Sequence, residues 1–166
     1  MSKLINELDQ LMLMSNSFTR MPNYFRYVIK MGKEIDPKIY WEYLGEAYVG
    51  SDGNHKGMPI IKQMFLKDLP FREHLMTPEE REYLAALPEE ITIYRGCSVL
   101  ESEGKYHGIS WSLNEAKAKF FAFEEIRNRY RKNQRNTVIQ KTVSKSDVVA
   151  YFNRREEEEI IYIPNH

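Results

Sequence analysis

The chain has almost no cysteine, and its histidines are scattered. Cys97 is the single cysteine, so no intramolecular disulfide can form. One cysteine cannot complete a zinc site, and His55, His74, His107 and His166 lack the spacing of metal ligands. We therefore expect no metal site in this protein.

The N-terminus lacks the features of a targeting or membrane segment. Asn6 and Glu7 stand where a signal peptide would carry its apolar region. The longest early apolar run, from Leu11 to Met14, is far too short to span a bilayer. These absences predict an intracellular, cytoplasmic protein that has no membrane partner.

The chain also lacks an excess of charge of either sign, because 24 Lys and Arg balance 24 Asp and Glu. Bulk charge therefore points to neither nucleic acid nor membrane, and any preference must come from a local patch. One basic patch contains Arg127, Arg129, Arg131, Lys132 and Arg135. It could contact the phosphates of a nucleic acid, or it could complement a helix dipole and stay solvated. The second interpretation is favoured.

What the chain does contain fits one globular domain, since 42% of its 166 residues are hydrophobic and 29% are charged. Residues 1–88 show apolar residues at helical spacing. Asp36 and Pro37 mark one helix start, a capping residue followed by proline at the first helical position. The apolar stripe of that helix contains Ile39, Tyr40, Tyr43, Leu44 and Ala47.

Residues 89–166 are rich in β-branched and aromatic runs instead. The predicted strands are 91–94, 137–139, 148–152 and 160–163. Asn114 can cap a helix that lies between them and continues to about Arg131. These patterns predict an α+β fold, in which an N-terminal helical segment is followed by a mainly antiparallel sheet with one embedded helix.

Tyr94, Arg95 and Gly96 end the first predicted strand. An arginine there offers a planar fork that can bind a phosphate through two hydrogen bonds. The glycine after it leaves room for the phosphate to approach the backbone. Strands also end in Arg-Gly for purely structural reasons, so this motif alone carries little information.

Ser110, Trp111 and Ser112 form a second motif, ahead of the predicted helix. Side chains alternate along a strand, so the two serines point the same way. Their hydroxyls could hold a sugar or orient a carboxylate. The alternative is a strand with two surface serines and a buried tryptophan.

Four consecutive glutamates, Glu156 to Glu159, run directly into the aliphatic stretch Ile160 to Ile163. If that stretch is a buried strand, at least one carboxylate lies at its start and can be held rigidly. A rigid carboxylate can stabilise positive charge that develops as a bond breaks. The alternative is a charged strand start that keeps a sheet edge soluble.

Taken in order, the three motifs resemble those of the arginine–serine–glutamate class of mono-ADP-ribosyltransferases. That family has an arginine on its first core strand, a Ser-Thr-Ser motif on a middle strand, and Glu-x-Glu or Gln-x-Glu at a late strand. The resemblance spans residues 91–163 and implies that residues 89–166 form an NAD-binding catalytic core of the ADP-ribosyltransferase type. Trp111 departs from the family's threonine. The glutamate run leaves the register open, and we adopt Glu157-x-Glu159, which places the last glutamate beside the strand.

The resemblance implies a transferase that breaks the bond between nicotinamide and ribose in NAD and passes ADP-ribose to a protein. Glu159 would be the catalytic carboxylate that stabilises the oxocarbenium-like state. Glu157, two residues earlier on the same extended strand and therefore on the same face, would orient or deprotonate the acceptor. Glu-x-Glu tends to accompany transfer to arginine in this family, so an arginine side chain is the expected acceptor, and no metal is required.

The resemblance also implies a set of NAD-binding residues. Arg95, with Gly96 behind it, would hold the phosphates of the cofactor. Ser110 would position the catalytic carboxylate and the ribose on the nicotinamide side. Trp111 or Ser112 would complete the wall of the site.

Three functions stay open from the sequence. The first is a mono-ADP-ribosyltransferase, which in a small intracellular protein could serve as a bacterial or phage effector. The second is a catalytically degenerate NAD-binding or protein-interaction module, and the third is an NAD glycohydrolase with water as acceptor. Release of nicotinamide separates the second from the others, and label on a protein separates the first from the third.

Overall fold

The computed structural model of the chain describes residues 2–52, 54–104, 108–125 and 135–164. Helices come first along the chain and strands follow. Contacts divide the chain into two compact units, Met1–Glu79 and Glu80–His166. The boundary falls within the first turn of a helix, α5 (Pro78–Ala86).

The first unit is helical. Its α-helices are α1 (Ser2–Met14), α2 (Arg20–Met31), α3 (Pro37–Val49) and α4 (Met58–Phe65). Short 3-10 turns lie at Gly32–Glu34, Asn54–Gly57 and Arg72–Leu75.

Helix α3 forms the centre of this unit's core. As predicted, Asp36 caps it by accepting hydrogen bonds from two backbone amides, and Pro37 is its first residue. The hydroxyl of Tyr40 donates to a backbone carbonyl of α4, and the indole of Trp41 donates to the carbonyl of Pro70, each at 2.9 Å. The polar atoms of these two large, fully buried side chains are therefore satisfied.

The second unit contains a five-stranded sheet. Its strands are β1 (Glu90–Ser98), β2 (Ser110–Ser112), β3 (Asn136–Ser144), β4 (Val148–Phe152) and β5 (Glu159–Tyr162). They lie in the order β3-β1-β2-β5-β4, and each neighbouring pair is antiparallel. The predicted α+β architecture, helices first and then an antiparallel sheet, is confirmed.

The prediction of one embedded helix is wrong. Helix α6 (Val99–Glu103) follows β1 directly, capped by Ser98, and is too short to show a helical period in the sequence. Asn114 caps α7 (Glu115–Lys119) as predicted, and a π-helical turn, Phe120–Glu124, continues that helix. Glu125 is extended, so the helix ends before it; residues 126–134 lie outside the described ranges.

The strand pairing decides which side chains share a face of the sheet. Tyr94 lies opposite Ser112, and Ser112 lies opposite Glu159, so the three side chains leave the same side, which we call the serine face. Side chains alternate along a strand. Arg95 and Trp111 therefore leave the other side, which we call the tryptophan face.

Helix α7 and the π turn contact the sheet at Gly96. A Cβ built there would lie 2.2 Å from the carbonyl oxygen of Ala118 and 2.7 Å from the amide nitrogen of Ala122. Both are backbone atoms, so neither can rotate away. The missing side chain at Gly96 therefore allows the helix to pack directly on β1.

We expect Gly96→Ala to lower the free energy of unfolding by about 1–3 kcal/mol or more, because overpacking against backbone forces the helix off the sheet. Chemical denaturation measures this loss. Gly57→Ala is the control, since its nearest atom, the Cδ1 of Ile61, lies at 3.8 Å. An unchanged denaturation midpoint for Gly96→Ala would contradict the close contact.

Candidate functional site

Arg95 lies on β1 with its guanidinium engaged inside the protein. Its Nε donates to Oε1 of Glu101 at 2.7 Å, and its Nη1 donates to the backbone carbonyl of Ser110 at 2.6 Å. The Arg95 and Glu101 side chains are only 21% and 25% exposed, so water screens the ion pair weakly. This arginine therefore connects β1 to both α6 and β2.

Glu101 is a structural partner that the sequence analysis missed. Its Oε1 also accepts a hydrogen bond from the amide of Gly108 at 2.9 Å. A Cβ at Gly108 would lie 2.2 Å from Nη2 of Arg95, so a glycine lets the backbone pass this close to the guanidinium. A signal was present, because Ser98 and Glu101 have the spacing of a capping box, and the Ser98 hydroxyl does accept from the Glu101 amide.

Two residues of the predicted NAD site serve packing. The space over Gly96 is filled by α7, so the expectation that it leaves room for a phosphate is wrong at this position. Trp111 is 5% exposed and packs edge to face against Tyr162, with the ring centroids 6.2 Å apart. The interpretation of the middle motif as a strand with a buried tryptophan therefore describes Trp111 well.

Ser112, rather than Ser110, is the neighbour of Glu159. Ser112 pairs with Glu159 across β2 and β5, whereas Ser110 pairs with Ile161, one step farther along the same face. Ser112 is buried, at 6% exposure, and its hydroxyl donates to the backbone carbonyl of Glu157 at 2.9 Å. The hydroxyl expected to sit in the wall of the site thus holds the segment that leads to Glu159.

The β4–β5 turn, residues 153–158, does not continue the strand. Glu156 and Glu158 adopt left-handed backbone angles, with φ of 57° and 49°, and β5 begins only at Glu159. The expectation that Glu157 and Glu159 share one extended strand is therefore wrong. The reason is that a left-handed residue separates them, which no β-propensity argument detects.

Asn114 holds this turn from the β2 side. Its Nδ2 donates to Oε2 of Glu158 at 2.9 Å, its Oδ1 caps α7, and its amide donates to the Ser112 hydroxyl at 3.0 Å. The amide of Leu113 donates to the Glu158 carbonyl at 3.0 Å. The sequence marks Asn114 as a cap, but its second contact, 44 residues away along the chain, carries no local signal.

The structure thus brings together only part of the predicted site. Ser110, Ser112 and the half-buried Glu159 share the serine face of neighbouring strands. Arg95 starts from the tryptophan face and reaches this group through the Ser110 carbonyl. Glu157 lies beside the face, in the turn, with Oε1 3.4 Å from the Nε of Arg155.

A tyrosine on the tryptophan face lies close to the same turn. Burial, together with the smaller effects of the nearby Tyr83, Glu158 and Glu80, raises the pKa of Tyr151 to about 12. Tyr83 stacks on its ring, with centroids 4.6 Å apart. The phenol therefore stays neutral near pH 7 and adds no negative charge beside the glutamates.

The described residues cover the basic patch only in part, and they also bear on metal binding and on membrane-spanning helices. Of the basic patch, Arg135 alone is described, and Arg127 to Lys132 lie outside the described ranges. Across the described ranges, no cluster of three or more His, Cys, Asp or Glu side chains is placed to hold a metal ion. Those ranges also contain no helix whose length and apolar character would let it cross a membrane.

Comparison with known proteins yields no relative. No family model matches the chain, and no curated protein or solved structure matches it either.

We expect Arg95→Lys to destabilise the second unit by about 1–3 kcal/mol, because an ammonium cannot donate in both directions that Nε and Nη1 occupy. Thermal unfolding measures the loss. Arg135→Lys is the control, since that side chain is exposed.

Glu101→Gln should lower the melting temperature in the same way, and the double variant should lose less than the sum of the two single losses. Additive losses would contradict a direct contact between the two side chains. So would an unchanged melting temperature for Arg95→Lys.

Proposed function

We propose that the protein is an NAD-dependent mono-ADP-ribosyltransferase whose catalytic carboxylate is Glu159. One observation carries this proposal: Glu159 opens β5 beside Ser112, directly after a turn that contacts from β2 hold in place. A half-buried carboxylate in a rigid setting suits the stabilisation of a transient cation. The order of the arginine, serine and glutamate motifs along the chain supports the same reaction.

The proposed reaction breaks the bond between C1′ of the ribose and the nicotinamide nitrogen. Nicotinamide leaves with the bonding electron pair, so the ribose becomes an oxocarbenium-like cation. Glu159 accepts a hydrogen bond from a ribose hydroxyl and stabilises that charge, worth roughly 2–4 kcal/mol of the barrier. The lone pair of the acceptor then forms the new bond to C1′, and its proton passes to a base.

Ser112 and Arg95 take revised roles in this proposal. Ser112 positions Glu159 through the turn, and Ser110 presents its hydroxyl to the ribose one step along the same face. Arg95 positions Ser110 through the carbonyl contact. A two-point grip of Arg95 on phosphates that uses its Nε requires that Glu101 first release it, because Nε donates to that carboxylate.

Glu157 is the proposed base for the acceptor, and an arginine side chain is the proposed acceptor. The Oε1 of Glu157 already lies 3.4 Å from the guanidinium of Arg155, so a planar cation fits beside this carboxylate. A carboxylate in that place would attract an incoming guanidinium and take its proton as the bond to ribose forms.

The second candidate is a catalytically inactive NAD-binding or protein-interaction module. It is favoured by the internal use of the Arg95 guanidinium, whose Nε and Nη1 already donate to Glu101 and to the Ser110 carbonyl. Incubation with labelled NAD and a cell lysate separates the candidates. Free nicotinamide with labelled protein supports the transferase, free nicotinamide alone indicates a glycohydrolase, and neither product indicates the inactive module.

Glu159→Gln should reduce nicotinamide release by about two or more powers of ten, because it keeps the shape of the side chain and removes the charge. Release is measured from purified protein with excess NAD. Glu156→Gln is the matched control, since Glu156, the first glutamate of the run, is exposed and its replacement should leave nicotinamide release unchanged. Near-normal turnover of Glu159→Gln would refute the assignment. A loss of activity confined to Glu157→Gln or Glu158→Gln would show that the catalytic carboxylate is that glutamate instead.

Glu157→Ala should abolish protein labelling while slow NAD hydrolysis persists, because water needs less help than a protonated guanidinium. A single reaction tests this when both the release of free nicotinamide and the label transferred to protein are measured. Equal loss of both products would assign Glu157 to bond cleavage or to the turn, and retention of both would place it outside the reaction.

A further inference from the structure

The β4–β5 turn contains two strained residues whose cost contacts must offset. Glu156 and Glu158 are left-handed residues that carry side chains, and each such residue costs about 1–2 kcal/mol. The β2 side holds only the end of the turn, through Ser112 and Asn114. Another element must therefore hold its beginning.

Glu80, on α5, holds the beginning of the turn. Its side chain is 6% exposed, and its Oε1 accepts from the amide of Asn153 at 2.9 Å. Its Oε2 accepts from Nη2 and Nε of Arg154, at 3.1 and 3.3 Å. A buried carboxylate with both oxygens in use is costly to disturb, because its partners would be left unpaired.

Asn153 transmits this constraint across the turn. Its carbonyl accepts from the amide of Glu156 at 2.9 Å, and its Oδ1 accepts from the amide of Glu158 at 3.2 Å. The next residue is Glu159. Glu80 thus reaches the start of β5 through one intervening side chain.

The same contact controls a positive charge. Arg154 pairs with Glu80, and its guanidinium also lies 5.3 Å from the ring centroid of Phe152. Phe152 pairs with Glu159 across β4 and β5. Glu80 therefore also holds a guanidinium against the residue of β4 that pairs with Glu159.

We propose that Glu80 is a positioning residue of the active site: it fixes the β4–β5 turn and thereby the placement of Glu159, without touching the substrate. This inference rests on the proposed function. A misplacement of about 1 Å in a catalytic group can cost up to roughly a hundredfold in rate.

The test compares Glu80→Gln and Glu80→Ala with the unaltered protein in steady-state nicotinamide release. We expect kcat to fall about tenfold or more for Glu80→Ala and less for Glu80→Gln, whose oxygen can still accept from Asn153. KM for NAD should change by less than about twofold, because Glu80 does not contact the cofactor. Hydrogen exchange at the Glu158 amide should become faster in both variants.

Lys145→Met is the matched control. Lys145 binds the other end of α5, where its Nζ donates to the carbonyls of Ala85 and Leu87 at 3.1 and 2.8 Å. Its loss should lower the melting temperature and leave kcat and Glu158 exchange unchanged. Should Glu80→Ala fail to fold, Glu80→Gln carries the comparison.

Unchanged Glu158 exchange in the Glu80 variants would overturn the inference. A fall in kcat no larger than that of Lys145→Met would do the same. If the unaltered protein released no nicotinamide, the proposed function would fail first, and hydrogen exchange would still decide whether Glu80 fixes the turn. Failure of the function and failure of the positioning role are therefore read from different measurements.

Discussion

The conformation of the β4–β5 turn is the constraint on which the rest of the second unit depends. Two left-handed glutamates cost about 1–2 kcal/mol each, and the turn persists because neighbouring elements offset that cost. The hydroxyl of Ser112 and the amide of Asn114 hold its end, while Glu80 holds its start. Contacts from β2 and α5 therefore converge on six residues, and the start of β5 is placed by them.

The ion pair of Arg95 and Glu101 would join stability to ligand binding if the protein binds an anionic ligand as proposed. A carboxylate and a phosphate present similar oxygens to a guanidinium, so an anionic ligand that uses the Nε of Arg95 would replace Glu101. Its affinity would then be the difference between two ion pairs and not the full value of one. Glu101 also accepts from the Gly108 amide, so releasing the arginine would loosen the segment before β2.

Local patterns in the sequence predict the helices and strands, but they do not predict the turns and long-range contacts that join these elements. The Asp36–Pro37 cap and the β-branched stretch Ile160–Ile163 locate α3 and β5, because each signal lies within a few residues of its effect. The turn before β5 depends on Asn114 and Glu80, which are far from the turn along the chain and contact it only in the fold. The missing side chain at Gly96 predicts open space beside β1, but no nearby residue in the sequence indicates that a helix fills that space.

The glutamate run is tolerated because the turn sends its members to different partners. Four neighbouring carboxylates on one extended strand would place like charges on the same face, which is destabilising. Glu158 accepts a hydrogen bond from the side-chain amide of Asn114, and Glu157 lies beside the guanidinium of Arg155. Glu156 remains exposed. Of the four glutamates, Glu159 is the one that belongs to the sheet, where it pairs with Ser112. The left-handed backbone thus separates one carboxylate from a repulsive cluster, as the proposed catalytic role of Glu159 requires.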